Sequence, residues 1–143
     1  MATPSPTPLP RKLGIRPGDL VALLDAPSGF DATLGRLPDG VTVHRSLDAP
    51  DPFDPFDVVL CFTTRRDRLV SAVREVRPVL AQAGGLWIAW PKRASGVPTE
   101  VGDDTVREVA LPTGLVDNKV CSVDATWTAL RLVIRKELRT DDR

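Results

Sequence analysis

The sequence predicts an α/β domain in three layers: a mostly parallel sheet, helices on both of its faces, and an antiparallel hairpin at its end. Three observations predict it. Residues 19–24 and 57–62 each open on an aspartate and continue, like 86–90, as an apolar run of strand length, the pattern of strands covered on both sides. Between the last two, Leu69, Val73, Val76 and Leu80 recur at intervals of four, three and four, which is one face of a helix. Residues 128–135 alternate instead, with Leu130, Leu132 and Ile134 against Arg131 and Arg135, the mark of a strand with two unlike faces.

The elements follow in order. Residues 1–12 hold closely spaced prolines and read as an extended, mobile lead-in to a single domain over 13–136. Residues 12–18 are turn-rich, and 19–24 form the first strand. The turn Asp25-Ala-Pro-Ser-Gly29 leads to a short helix over 30–36, closed by Leu37-Pro-Asp-Gly40. Residues 41–44 make a second short strand. Residues 46–55 carry three prolines and three aspartates and form a loop, since proline offers no backbone donor. After the strand at 57–62, Thr63 or Thr64 caps a helix, Thr64 and Asp67 having the spacing of a capping box. Pro78 ends or kinks that helix near its last turn, and Gly84-Gly85 breaks it fully. Residues 92–102 are polar and flexible. Asp103 or Asp104 caps a helix through 111, with Val106, Val109 and Ala110 facing inward. Residues 115–124 and 128–135 pair as the closing hairpin, and 137–143 form a charged, frayed tail.

Composition excludes several classes. The chain has 143 residues, 19 basic and 19 acidic, for a formal net charge of +0. No broad basic field is present to attract nucleic acid, and a neutral protein does not repel its own copies. No apolar run approaches the roughly 20 residues that span a membrane, and the N-terminus lacks the apolar core of a secretory signal. The expectation is therefore a cytoplasmic protein with no nucleic-acid or membrane partner, and a homodimer or another protein as its partner. Cys61 and Cys121 sit in apolar runs without a CxxC spacing, and His44 is the sole histidine. The cysteines read as buried thiols, His44 as a surface residue at a strand end, and no metal is expected.

The unit Phe56-Asp-Val-Val-Leu-Cys-Phe62, helix, Ala83-Gly-Gly-Leu-Trp-Ile-Ala-Trp-Pro-Lys92 resembles the late half of a class I methyltransferase. With the closing hairpin, the resemblance implies a Rossmann-like fold of truncated methyltransferase-like topology over residues 13–135. Pro91-Lys-Arg-Ala-Ser-Gly-Val97, Leu115-Val-Asp-Asn-Lys-Val-Cys-Ser-Val-Asp124 and Trp127-Thr-Ala-Leu-Arg131 also resemble an uncharacterised family of small bacterial proteins, a domain of unknown function. In the methyltransferases the first strand runs into a Gly-x-Gly-x-Gly-type loop around S-adenosylmethionine, because backbone must approach the cofactor closely. This chain has Leu24-Asp-Ala-Pro-Ser-Gly-Phe30 there, with Gly29 alone of the glycines. The second strand of such folds ends in an acid for the ribose hydroxyls. Here it ends in His44-Arg45, with Asp48 several residues late. Both departures argue for no cofactor, with S-adenosylmethionine kept as the alternative.

Ligands of such sheets bind outside the carboxyl ends of the strands. That rule selects Asp25, Ser28 and Gly29 after the first strand, Lys92, Arg93, Ser95 and Gly96 after the strand ending at Trp90, and Asp124 and Trp127 at the hairpin turn. Lys92, Arg93 and the amides of Ser95 and Gly96 suit an anion. Asp124 suits a hydroxyl or a pair with Lys92, and Ser95 with Lys92 would be a nucleophile and base. Each has a plainer role in turns, packing or solubility. The first functional reading is a non-catalytic Rossmann-like binding or interaction module with a degenerate cofactor loop, its catalytic residues unknown. The alternative is a small-molecule-binding enzyme, an atypical S-adenosylmethionine-dependent methyltransferase included.

Overall fold

Leu20–Leu24 forms β1 because its five residues are apolar and four of them are buried. Around it a computed structural model, describing residues 7–48 and 54–139, builds a six-stranded sheet in the order β2-β1-β3-β4-β6-β5. The other strands are β2 (Thr42–His44), β3 (Phe56–Phe62), β4 (Leu80–Pro91), β5 (Leu115–Ser122) and β6 (Trp127–Ile134). β2, β1, β3 and β4 run parallel. β6 is antiparallel to both β4 and β5. The α/β class, the mostly parallel sheet and the closing hairpin are thus as the sequence predicts.

Two apolar clusters fill the layers. On one face α3 (Arg66–Val76) supplies Leu69, Ala72, Val73 and Val76, and α4 (Asp103–Ala110) supplies Val106 and Ala110, all packed on Val59, Cys61, Ile88 and Leu130. On the other face Leu13 and Ile15, just before β1, with Phe30 and Leu34 of α2 (Phe30–Leu34), cover Val21, Leu60 and Trp87. Trp87 is fully buried, and its indole N–H donates to the Leu13 carbonyl at 3.0 Å. A buried indole needs that acceptor, so one bond staples residues before β1 to the middle of β4.

Several local expectations shift. The lead-in is structured before residue 13: Leu9–Lys12 forms α1, with Pro10 buried, because prolines suit a first helical turn. Residues 1–6 and 140–143 lie outside the described residues, as does half of the 46–55 loop. The N-cap of α3 is Arg65, not a threonine. The first free amide of α3, on Arg66, instead donates to Glu100 Oε1 at 2.8 Å, a cap from a loop more than 30 residues away. Thr63 is buried and binds the Arg65 amide. α3 gives way to a 3-10 turn over Arg77–Val79 at Pro78, and β4 begins at once. Gly84 and Gly85 therefore lie inside β4 rather than breaking a helix. The position before α4 is Gly102, whose amide donates to Thr105 Oγ1 at 3.3 Å. Asp103 and Asp104 fall in the first turn, where their charge complements the helix dipole.

Asp57, beside Phe56 at the start of β3, accepts a 2.8 Å bond from the Leu20 amide. Burial pushes its carboxyl above the ordinary value, and the Leu20 bond pulls it partly back. A raised acid favours the protonated form in the folded state, so this group opposes stability increasingly as pH rises through the carboxylate range. Asp57→Asn keeps the acceptor without the charge. It should gain on the wild type between pH 4 and pH 7 in urea titrations. Asp57→Ala leaves the Leu20 amide without its partner and should lose about 1–3 kcal/mol.

Candidate functional site

β2 lies on one side of β1 and β3 on the other. The sheet therefore reverses its winding between β1 and β3, the switch point where crevices form in open α/β sheets. Asp25 follows β1 there with φ +58, in the left-handed region. Its Oδ2 accepts a 2.8 Å bond from Arg68 Nε of α3. Arg68 also donates to Ser71 Oγ at 3.1 Å and faces Glu75 at 3.5 Å. Ser28 is exposed, and Gly29, with φ +83, opens α2. At the end of β2, Arg45 clasps Asp31 through both carboxylate oxygens, at 2.7 and 2.9 Å. His44 is half-buried and meets Phe56 edge-on at 6.1 Å, so it is a packing residue rather than a surface one.

The remaining candidates gather two strands away. The β5–β6 turn lies on the same edge as the end of β4, since Pro91 pairs with Trp127. The Lys92 amide donates to the Thr126 carbonyl at 2.7 Å. Lys92 Nζ donates to Ser122 Oγ at 2.7 Å, not to Asp124 or Ser95. Ser95 Oγ donates to the Lys92 carbonyl at 2.6 Å and accepts from the Val97 amide. The Ser95 and Gly96 amides donate to the carbonyls of Lys92 and Arg93, closing a 3-10 turn that ends at Gly96, φ +76. Asp124 accepts from the amides of Thr126 and Trp127 at 2.9 and 2.8 Å. The serine, the two amides and the aspartate thus hold turns. Of the proposed anion cradle, the Lys92 and Arg93 side chains are what is left.

Asp25 and Lys92 do not touch. β3 separates the strands they follow, about 10 Å at ordinary strand spacing. An aromatic row fills the gap: Phe30 meets Phe62 at 4.9 Å and Phe62 meets Trp127 at 5.1 Å, both edge-on. Trp127 is thereby packed, half-buried, against the core. On the opposite side of the sheet, a cavity of about 760 Å³ is lined by Trp90, Lys92, Arg93, Gly96, Thr99, Asp103 and Thr128 among others. Its outer wall is held in place by Glu100, whose amide donates to Thr64 and whose carboxylate caps α3.

Nucleophiles are muted. Burial pushes the Cys61 thiol up to about 12 and raises that of Cys121. Cys61 is fully buried and Cys121 nearly so. Iodoacetamide at pH 8 should therefore leave Cys61 unmodified in the native protein and reach Cys121 first, as read by peptide mass spectrometry. No group of three or more His, Cys, Asp or Glu side chains is placed to hold a metal among the described residues. No helix among them is long and apolar enough to cross a membrane.

A third set of residues, invisible to the sequence reading, lies where α1 meets the β5 edge. Arg11, Lys12, Lys119, Val120, Cys121 and Ser122 line a cleft of about 470 Å³ with Thr7. Arg11 and Lys12 come from the start of the chain and Lys119 from near its end, so spacing gives no warning of their meeting.

Residues 11–136 match the family described as a protein of unknown function (DUF3052), and the chain belongs to that family. No curated protein matches it. Solved structures do. An S-adenosylmethionine-dependent methyltransferase from Aquifex aeolicus superposes with a TM-score of 0.64 at 14% identity, over 87% of this chain and 86% of that one. Fibrillarin from Aeropyrum pernix, solved with natively bound S-adenosyl-L-methionine, gives 0.55 at 16% over 82% and 67%. The Methanococcus jannaschii fibrillarin, a pre-rRNA processing protein, gives 0.58 at 11% over 85% and 69%. The fold is methyltransferase-like and Rossmann-like. At these identities the likeness speaks for the fold alone.

Proposed function

We propose that this DUF3052 member is a non-catalytic binding module that keeps a methyltransferase-like sheet and does not take S-adenosylmethionine at its switch point. The observation that carries the reading is the Asp25–Arg68 pair. The one acid at the end of β1 is bonded at 2.8 Å to the chain's own guanidinium, where a cofactor would need it free. Three further features support the reading. The loop has a single glycine and a proline, Gly29 and Pro27. The end of β2 presents Arg45, engaged with Asp31, in place of a ribose-binding acid. Asp124 and Ser95 are committed to turns, which takes up the acid and the nucleophile expected around the β4 end.

One observation favours an S-adenosylmethionine enzyme instead. Asp25 is held in left-handed backbone, a strain of order 1–3 kcal/mol that tends to sit at ligand sites. In that case Arg68 would swing aside and free the carboxylate. Scanning fluorimetry and calorimetry with S-adenosylmethionine and S-adenosylhomocysteine separate the two. The module reading expects no heat and no shift in Tm with either ligand at about 1 mM, for the wild type and for Arg68→Ala. A ligand at 100 times its Kd adds about 2.7 kcal/mol, a Tm rise on the order of 10 °C for a domain of this size. Such a rise, abolished by Asp25→Ala, would sink the module reading.

A further inference from the structure

We propose that the cleft between α1 and the β5 edge binds the phosphoryl group of a small soluble phosphate monoester. The proposal goes beyond the reading of the switch point, and a chain that took S-adenosylmethionine beside Asp25 could still hold phosphate here.

Arg45, Arg65, Arg66, Arg68 and Arg107 each pair with a carboxylate. Arg11, Lys12 and Lys119 converge on one cavity of about 470 Å³. None of the three has a carboxylate partner among the described residues. Arg16, Arg36, Arg74 and Arg93 form no ion pair among them either, so what marks this cleft is three cations on one cavity with no acid in its described lining. Lys92 lines the cavity at the β4 end rather than this one, and touches the cleft only through its 2.7 Å bond to Ser122 Oγ. Lys12, Lys119 and Lys92 are also the charges that act on the Cys121 thiol at the cleft floor, each drawing it down against the effect of burial. Like charges drawn together repel, and nothing among the described residues offsets that repulsion. A dianion would.

The remaining groups suit a phosphate ester. Ser122 Oγ accepts from Lys92 Nζ, so its own O–H is available to donate to a phosphate oxygen. Such charge-assisted bonds are the stronger kind. Val120, 66% exposed, gives the cleft an apolar lip for the carbon part of an ester. The bland alternatives are separate for each residue: Arg11 and Lys12 end a helix where cations are favoured, and Lys119 on an edge strand discourages pairing with another chain. They explain each cation singly and not their convergence on a cavity without an acid. The volume suits a small metabolite rather than a polymer.

Calorimetry at low ionic strength tests the assignment, since salt screens exposed charges. The probes are phenyl phosphate, inorganic phosphate, a short oligothymidylate, and phosphatidylcholine vesicles doped with phosphatidic acid. Phenyl phosphate should bind the wild type with one-to-one stoichiometry, at least as tightly as inorganic phosphate. Affinity should rise as pH passes about 6, where a phosphate monoester gains its second charge. Each of Lys12→Glu and Lys119→Glu should weaken binding about tenfold, the scale of a lost charge-assisted bond. Arg74→Glu, on α3 across the sheet, should leave it unchanged. If a reversal fails to fold by circular dichroism, Lys12→Gln with Lys119→Gln carries the test, since glutamine adds no charge. Three results overturn the proposal: no heat with phenyl phosphate at about 5 mM, ten times any Kd below about 0.5 mM; binding unchanged in the lysine variants; or oligothymidylate or vesicles bound more tightly than phenyl phosphate. A positive S-adenosylmethionine titration would overturn the module reading and leave this one standing.

Discussion

Trp87→Ala is expected to destabilise the domain by about 3–5 kcal/mol, the range for removing a large buried aromatic. Two losses combine in it. The indole is fully buried between the sheet and the lead-in, so its removal leaves a cavity that rigid β-strands cannot collapse to fill. The 3.0 Å bond to the Leu13 carbonyl is lost as well. Trp87→Phe separates the two. It keeps most of the packing and strands the carbonyl, so it should cost about 1–3 kcal/mol. Urea unfolding followed by circular dichroism measures both. Hydrogen exchange adds a spatial readout, because residues 9–15 should lose protection before the rest of the sheet. Equal effects for the two variants would mean that the bond, not the packing, holds the lead-in.

Gly84→Val is the second large loss, and its cause is backbone against backbone. A Cβ on Gly84 would stand 2.8 Å from the Asp57 carbonyl oxygen and 3.0 Å from that of Phe56. Neither oxygen belongs to a side chain that can rotate away. The β3–β4 register skips here, from Phe56 opposite Leu80 to Val58 opposite Gly85, and the glycine lets the two strands close over the irregularity. Gly84→Ala should cost about 1–3 kcal/mol as overpacking, and Gly84→Val more. Gly102→Ala is the matched control: a Cβ there meets nothing within 4 Å, so it should lose only the smaller cost of alanine at a helix N-cap. A Gly84→Ala protein as stable as the Gly102→Ala control would show that the strands separate freely at this point.

Trp87 also bears on the proposed sites, because its strand leads to the carboxyl edge of the sheet. Trp87 lies in β4, which ends at Pro91 and delivers Lys92 to Ser122. Leu13 follows Arg11 and Lys12 directly, so the Trp87 staple also sets where those cations stand.

Much of the fold was legible in the residues because its signals are local. The continuous runs in β1 and β3, the alternation in β6 and the α3 face at Leu69, Val73 and Val76 all reflect burial that recurs within one element. Pro78 stops a helix by removing one donor and clashing with one carbonyl, both within a turn. Gly84-Gly85 was misread for the same reason. From sequence, a glycine pair after a helix is a breaker, and only the neighbouring carbonyls of Phe56 and Asp57 reveal a close approach inside a strand. The α3 cap was likewise out of reach, since Glu100 arrives from a loop beyond β4.

The sequence by itself determined the α/β class, the parallel strands with their closing hairpin, the buried cysteines and the absence of a glycine-rich cofactor loop. Each is written in spacing or composition. It also placed Lys92 at the carboxyl edge of the sheet, where open α/β folds in general bind their ligands. The tertiary structure decided which groups remain free there. It bonded Asp25 to Arg68, folded Ser95 and Asp124 into turns, and set an aromatic row between the two halves of the expected site. It then brought Arg11 and Lys12 against Lys119 across more than 100 residues of chain. Pairing and convergence depend on distances between remote elements, and those distances exist only once the sheet has closed.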